Sequence, residues 1–405
     1  MKPDPRHFWN FYSAGRLVFG SGSVARLPLF LKPWQARRIL VITDRILEQV
    51  GVVAQVVDPL RAAGLDVVVF NEGEAEPSCA IADKAIAAAR QAQADVLIGL
   101  GGGSNMDLAK ITAAVVAHGG TYRDYFGYDK IPGPVQPLVC IPTTSGTGSE
   151  VSHAAVLTDT ERELKESTLS QQLRPALAVV DPQLTLTCPP KATADSGIDA
   201  LTHAIETYTA TSYDALEVPA AEPFPYDGKH PLGDVLAEAA IRRIGYHLPT
   251  AVAEPANLAA REGMSFAATL AGLAFSNGAV AVVHALEYPI GAAVHCSHGA
   301  GNGLLLPYVM RFNLPARATE IARIGEWLGV ADAGLPVPEV AEQAIVAVER
   351  LQARIGIPQK LRELGVTRAQ LPGFAAKSIG IKRLMLLNGR RPTEADLLSI
   401  LEAAW

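Results

Sequence analysis

Five short, almost uninterrupted runs of Val, Ile and Leu mark the first 185 residues: 38–43 (RILVIT), 65–70 (LDVVVF), 95–100 (DVLIGL), 138–142 (LVCIP) and 177–180 (LAVV). A strand that is apolar at nearly every position has no face to give to water. It belongs in a parallel sheet covered on both sides. Ala-rich stretches of helical periodicity, such as 81–92, lie between the runs, and this alternation predicts a parallel α/β domain. After the breakers Asp181–Pro182 and Pro189–Pro190 the texture changes and no further strand run appears. Helices are expected at 196–209, 233–246, 258–274, 316–328, 337–354 and 393–404, the last opened by Thr393 with Asp396 three residues on. The expected architecture is thus an N-terminal Rossmann-like α/β domain over 1–188 and an all-helical C-terminal domain over 189–405. The segment 211–231, rich in Pro and acids, reads as a long surface excursion.

Composition excludes several classes. With 405 residues, 49% hydrophobic and 19% charged, the chain has the apolar content for substantial cores and is not a disordered tail. A net charge of −6 argues against a surface built to wrap nucleic acid. Cys79, Cys140, Cys188 and Cys296 form no CxxC pair, so neither a disulfide framework nor a thiolate zinc site is expected, and the default home is the reducing cytoplasm. The start, MKPDPRHFWNFYS, lacks the apolar core of a signal peptide. Residues 263–286 contain no Asp, Glu, Lys or Arg and are long enough to span a membrane. They are diluted by Gly, Ala, Ser and Asn, include His284 and lack flanking Lys/Arg clusters, so a buried helix is the expected form.

Two segments offer glycine turns for phosphate. Gly20–Ser21–Gly22–Ser23–Val24–Ala25 has GxGxxA spacing with Asp44 about 20 residues on, and reads either as a dinucleotide fingerprint or as a strand–helix turn. The second is better formed. In Gly99–Leu100–Gly101–Gly102–Gly103–Ser104, a strand leads into three successive glycines and then a helix, so backbone N–H groups and the helix dipole face an incoming anion. A third turn, PTTSGTGSE at 142–150, sets hydroxyl side chains around two glycines after another strand.

Asp199 and His203 are four residues apart and share a helix face. His284, His295 and His298 lie in unusually apolar surroundings. One carboxylate with three imidazoles fills the inner sphere of a divalent transition metal, and this donor set suits Fe²⁺ or Zn²⁺. Spacing does not choose between His295 and His298.

Three stretches together resemble the iron-containing, or group III, alcohol dehydrogenases: GLGGGSNMDLAK at 99–110, PTTSGTGSEVS at 142–152 and GIDALTHAIETY at 197–208. A fourth, VHALEYPIGAAVHCSHGAGNGLLLP at 283–307, is similar to the family's second metal segment. The resemblance covers essentially the whole chain and implies a dehydroquinate synthase-like architecture. It implies Asp199, His203, His284 and His298 as metal ligands, with pyrophosphate on the turn formed by Gly101, Gly102, Gly103 and Ser104. Thr143, Thr144, Thr147 and Lys165 are implied as cofactor neighbours. Asp44 is implied as the acid that meets the adenosine ribose, and its charge favours NAD over NADP. The expected activity is reversible hydride transfer between a small alcohol and NAD(H) by a homodimer or larger homo-oligomer, with no nucleic-acid or membrane partner. One departure stands out: many members carry a second histidine four residues after the one at His284, and here that position is Tyr288, a candidate proton relay. That tyrosine and the insertion at 222–231 are similar to the hydroxyacid–oxoacid transhydrogenase branch. A dehydroquinate synthase-like lyase and an inactive metal- or nucleotide-binding protein are the other readings.

Overall fold

The computed structural model describes residues 7–160, 164–218, 223–330 and 334–405. They form two units. One is Tyr12–Cys188; the other comprises Pro189–Trp405 with the described residues before Tyr12.

The first unit is built from β1 (Leu17–Phe19), α1 (Leu27–Leu31), β2 (Arg38–Ile42), α2 (Arg45–Gln49), α3 (Val52–Ala62), β3 (Asp66–Phe70), α4 (Cys79–Gln91), β4 (Val96–Gly101), α5 (Gly103–His118), β5 (Gly127–Tyr128), β6 (Leu138–Pro142), β7 (Ala154–Asp159), β8 (Leu164–Leu169) and β9 (Leu177–Val180). Six strands make a parallel sheet in the order β1-β9-β6-β4-β2-β3. The continuous apolar runs have the expected cause. Leu40, Ile42, Leu97 and Cys140 meet α4 and α5 on one face, while Ile39, Val41, Val96, Ile98 and Val139 meet α1 and α3 on the other. Each fully buried Leu or Ile contributes roughly 1.5–3 kcal/mol.

Two features lay beyond the periodicity. The short edge strand β1 joins the sheet beside β9. A separate sheet, β5-β8-β7, also forms, and its β8 reads LKESTL, without any apolar run. The Gly20–Ala25 turn joins β1 to a 3-10 turn, and its N–H groups at Gly22 and Val24 are taken by the Asp181 carboxylate at 3.0 and 3.2 Å. An internal anion already occupies this turn.

The second unit contains α6 (Pro190–Thr209), α7 (Pro231–Ala253), α8 (Leu258–Phe275), α9 (Val282–Val294), α10 (His298–Trp327), α11 (Val337–Ile355), α12 (Leu371–Ile379), α13 (Lys382–Leu387) and α14 (Glu394–Ala404), packed around one apolar core. No strand occurs among its described residues. The helix expected at 316–328 is the end of α10, which begins at His298 and carries non-helical angles at Arg317. Pro307 lies within its first part, and Pro315 stands two residues before the kink at Arg317. The uncharged run 263–286 is split between α8 and α9, and no helix of the described residues is long and apolar enough to cross a membrane. The 211–231 excursion is corrected as well. Its Leu216, Val218, Tyr226, Asp227 and His230 are buried, because apolar and aromatic side chains spaced between the prolines fold back into the core; residues 219–222 lie outside the described ones.

Candidate metal centre and cofactor edge

Three helices that are distant in sequence build the first candidate site. Asp199 lies on α6, His284 on α9 and His298 at the start of α10, and one ligand atom from each falls within 4.8 Å of the others. Close helix packing makes this possible. A Cβ on Gly299 would lie 2.0 Å from the Asp195 carbonyl oxygen of α6, and one on Gly303 would lie 2.6 Å from Ile198. Only glycine lets α10 approach α6 so closely.

Buried carboxylates orient the imidazoles. Nδ1 of His284 donates to Glu206 at 2.6 Å, and Nδ1 of His298 donates to Glu287. Because an ionised carboxylate only accepts, these bonds put the ring proton on Nδ1 and leave each Nε2 as a lone-pair donor. Glu206 also accepts from the N–H groups of Ala281 (2.9 Å) and Val283 (2.7 Å), capping α9, which has no side-chain cap of its own. The Asn302 amide donates to Asp199 Oδ1 at 2.8 Å and bonds His298 Nε2 at 3.0 Å.

His203 stands beside this group. Its Nε2 is 3.9 Å from Asp199 Oδ2, and its ring stacks on Phe275 (4.1 Å) and on His284 (4.9 Å). His295 is apart, an exposed residue in left-handed conformation that ends α9. Tyr288 is half-buried, 6.0 Å from the His298 ring and 6.4 Å from that of His284. Burial pushes its phenol above the ordinary tyrosine range. Burial would likewise raise the Asp199 carboxyl, but positive charge on the His203, His298 and His284 imidazoles when these are protonated, with the Asn302 amide, outweighs it and holds the group below the usual carboxylate range.

The residues fit a divalent metal. Nε2 of His284 is buried at 4.0 Å from Asp199 Oδ1 and has no hydrogen-bond partner, a costly state for a polar atom. A cation among Asp199, His284 and His298, with His203 adjacent, would satisfy it. Glu206, Glu287 and Asn302 escaped the sequence reading. Their signal was present: each glutamate follows a histidine of the set by three residues, and Asn302 follows His298 by four.

The second group lies in the other unit. Strands β6, β4 and β2 are neighbours, so the hydroxyl loop, the glycine turn and Asp44 stand side by side at their C-terminal ends. This is the edge where parallel α/β sheets take ligands. Gly101 has φ +146°, and Gly102 precedes α5. Thr143 N–H donates to the Gly101 carbonyl at 2.9 Å, and Thr144 and Thr147 abut Gly102 and Gly103. Ser104 Oγ accepts from Glu76 N–H at 3.2 Å, while Lys165 on β8 pairs with the Glu76 carboxylate at 2.6 Å. Asp44 Oδ1 caps α2 through the N–H groups of Ile46 and Leu47, both at 2.9 Å. The wholly buried Lys110 was also missed. It donates to Ser149, Ser152 and the Ala154 carbonyl, while Asp107 accepts from Ser149 Oγ at 2.6 Å, tying α5 to the hydroxyl loop.

Known proteins are similar to this chain along its whole length. The profile of iron-containing alcohol dehydrogenase matches residues 14–182, and that of the C-terminal part of the Fe-containing alcohol dehydrogenase family matches 193–405. The chain is 35% identical to the NAD-dependent methanol dehydrogenase of Bacillus methanolicus over 98% of its length and 99% of the relative's. It is 38% identical to long-chain-alcohol dehydrogenase 1 of Geobacillus thermodenitrificans, over 97% of each. The crystal structure of a 1,3-propanediol oxidoreductase superposes with a TM-score of 0.92 at 33% identity, covering 98% of this chain and all of that one. With both halves matched and relatives covered end to end, the chain belongs to the iron-containing alcohol dehydrogenase family.

Proposed function

We propose that this protein is a metal-dependent oxidoreductase that transfers hydride reversibly between a small alcohol, or the corresponding aldehyde or ketone, and NAD(H). The observation that carries the reading is the convergence of Asp199, His284 and His298 with both imidazoles held by buried carboxylates. When bound, Fe²⁺ or Zn²⁺ supplies Lewis acidity toward the substrate oxygen, and the nicotinamide supplies the redox chemistry. Asp199, His203, His284 and His298 are the proposed ligands. Glu206 and Glu287 keep two imidazoles in the metal-binding tautomer, and Asn302 holds the Asp199 carboxylate. Phe275 packs on the His203 ring and excludes water from that side.

On the nucleotide side, Gly101, Gly102, Gly103 and Ser104 offer backbone N–H groups to pyrophosphate, with Thr143, Thr144, Thr147 and Lys165 around them. The Asp44 carboxylate accepts from ribose hydroxyls and repels a 2′-phosphate, favouring NAD. The relatives are consistent with this choice: one is named an NAD-dependent methanol dehydrogenase, and a sulfoacetaldehyde reductase of similar fold was solved with NAD⁺. Tyr288 stacks on the His298 ring, and burial, which raises its phenol further from neutrality, argues against its serving as the proton relay. The working form is proposed as a homodimer or larger homo-oligomer, on family resemblance, which sedimentation of the purified protein checks, and the four scattered cysteines favour a cytoplasmic home.

The function is tested by stripping the protein of metal, loading it separately with Fe²⁺ and Zn²⁺, and following absorbance at 340 nm with NAD(H) and NADP(H) across a panel of primary alcohols and aldehydes. Metal-dependent turnover with NAD(H) is expected. No change with any substrate in either metal form would reject the reading.

A further inference from the structure

Asn105 is the third residue of α5, directly behind the glycine turn, and it is only 3% exposed. Both N–H bonds of its amide are spent. One goes to the carbonyl of Leu100 at the end of β4 (3.1 Å), the other to Oδ2 of Asp44 at the end of β2 (2.8 Å). The space around it is cut to fit. A Cβ on Gly101 would lie 2.3 Å from the Asn105 amide nitrogen, and one on Gly73 would lie 2.2 Å from its amide oxygen. Two glycines from separate loops thus leave room for this one side chain, which bridges the phosphate turn and the acidic residue on the neighbouring strand.

The bridge changes what Asp44 can offer. Its Oδ1 already caps α2 with two backbone N–H bonds, and its Oδ2 already holds the Asn105 amide. A carboxylate oxygen accepts about two hydrogen bonds, so Oδ2 retains one acceptor position, aimed by the amide that fixes the group. We propose that Asn105 is a positioning residue for cofactor recognition, holding Asp44 Oδ2 in place so that its one remaining acceptor position takes a ribose hydroxyl and its charge excludes a 2′-phosphate. This rests on the NAD reading above and extends it: discrimination between the two cofactors belongs to the Asp44–Asn105 pair and not to the carboxylate alone. Without the amide, Oδ2 could swing about the capped Oδ1 and turn from a 2′-phosphate; held by the amide it cannot.

The test measures dissociation constants of NAD⁺ and NADP⁺ by calorimetry on the metal-loaded full chain, for wild type, Asn105→Ala, Asn105→Leu, Asp44→Ala and the Asp44→Ala/Asn105→Ala double variant. Losing the amide is expected to weaken NAD⁺ about tenfold and NADP⁺ by less than about twofold, so that the preference for NAD⁺ falls by about fivefold or more. Asn105→Leu keeps the branched shape between the two glycines but removes the donor without adding charge, and it is expected to narrow the preference as far. It carries the test even if the alanine variant does not fold. With Asp44 already alanine, Asn105→Ala should move the preference no further, the signature of two residues acting as one. Equal weakening of both cofactors would mean that Asn105 merely supports the turn and would overturn the proposal, as would an unchanged preference in both Asn105 variants. A loss of preference that persists without Asp44 would also overturn it. Failure of the underlying reading looks different: wild type that binds no NAD⁺, or an Asp44→Ala variant with the wild-type preference, rejects the nucleotide site itself.

Discussion

Glu206→Gln is the perturbation whose size the structure defines best. Three donors converge on the Glu206 carboxylate: Ala281 N–H and His284 Nδ1–H on Oε2 and Val283 N–H on Oε1. Glutamine has nearly the same shape but one acceptor oxygen. If that oxygen faces Ala281 and His284, its NH₂ confronts the Val283 N–H; if it turns round, two donors are abandoned. The gentler arrangement leaves one buried donor unsatisfied, at about 1–3 kcal/mol, and removes a negative charge from the N-terminus of α9, at about 0.3–1 kcal/mol. The helical unit should therefore lose about 1–4 kcal/mol, and the His284 ring should lose part of what holds its orientation. Disturbing such an outer partner of a metal-bound histidine typically costs about 10–100-fold in metal affinity. Competition between the protein and a chromophoric chelator for Zn²⁺ measures this directly, with circular dichroism to establish that the variant is folded. A folded Glu206→Gln protein whose zinc affinity stays within about twofold of wild type would refute the argument that Glu206 aims His284.

Three further outcomes follow from the same geometry. His298→Ala should lower the bound-metal stoichiometry measured by plasma mass spectrometry, whereas His295→Ala, at an exposed position, should leave it at the wild-type value; equal metal content in both variants would reject the assignment. Gly299→Ala places a methyl group 2.0 Å from the Asp195 carbonyl oxygen, a main-chain atom that cannot swing aside, and should cost about 1–3 kcal/mol or more in urea unfolding together with loss of metal. A variant as stable as wild type would show that α10 does not pack on α6 in this way. For Tyr288 the folded phenol lies above its unfolded value, so its contribution to stability is complete below about pH 10 and is lost as pH rises through the higher folded value. Ultraviolet titration should accordingly find a late-ionising tyrosine that is absent from Tyr288→Phe, and turnover of that variant should keep the wild-type pH profile below pH 9. A shifted profile would restore Tyr288 as a proton relay.

Much of this protein is local information. The main strands announce themselves because a strand covered on both faces must be apolar throughout, and the glycine, hydroxyl and Asp–His segments carry their chemistry in consecutive residues. Of the strands that stayed hidden, β1, β5, β7 and β8, the first and last show the reason: one is three residues long and the other is largely polar, so their pairing comes from neighbours and not from hydropathy. The same division runs through the candidate site. Residue types alone supply a carboxylate and a surplus of imidazoles, with the resemblance preferring His298 to His295. Only folding shows why: the tight Gly299 and Gly303 contacts bring the start of α10 onto α6, while His295 terminates α9 in solvent. Partnerships such as Glu206 with the α9 backbone, 75 and 77 residues away, or Asn105 with Asp44, 61 residues away, have no sequence period to betray them. Periodicity reports which face of an element is dry. Which buried polar atoms meet across elements is decided by how the helices and strands pack, because each must find its partner inside a core where water cannot serve as one.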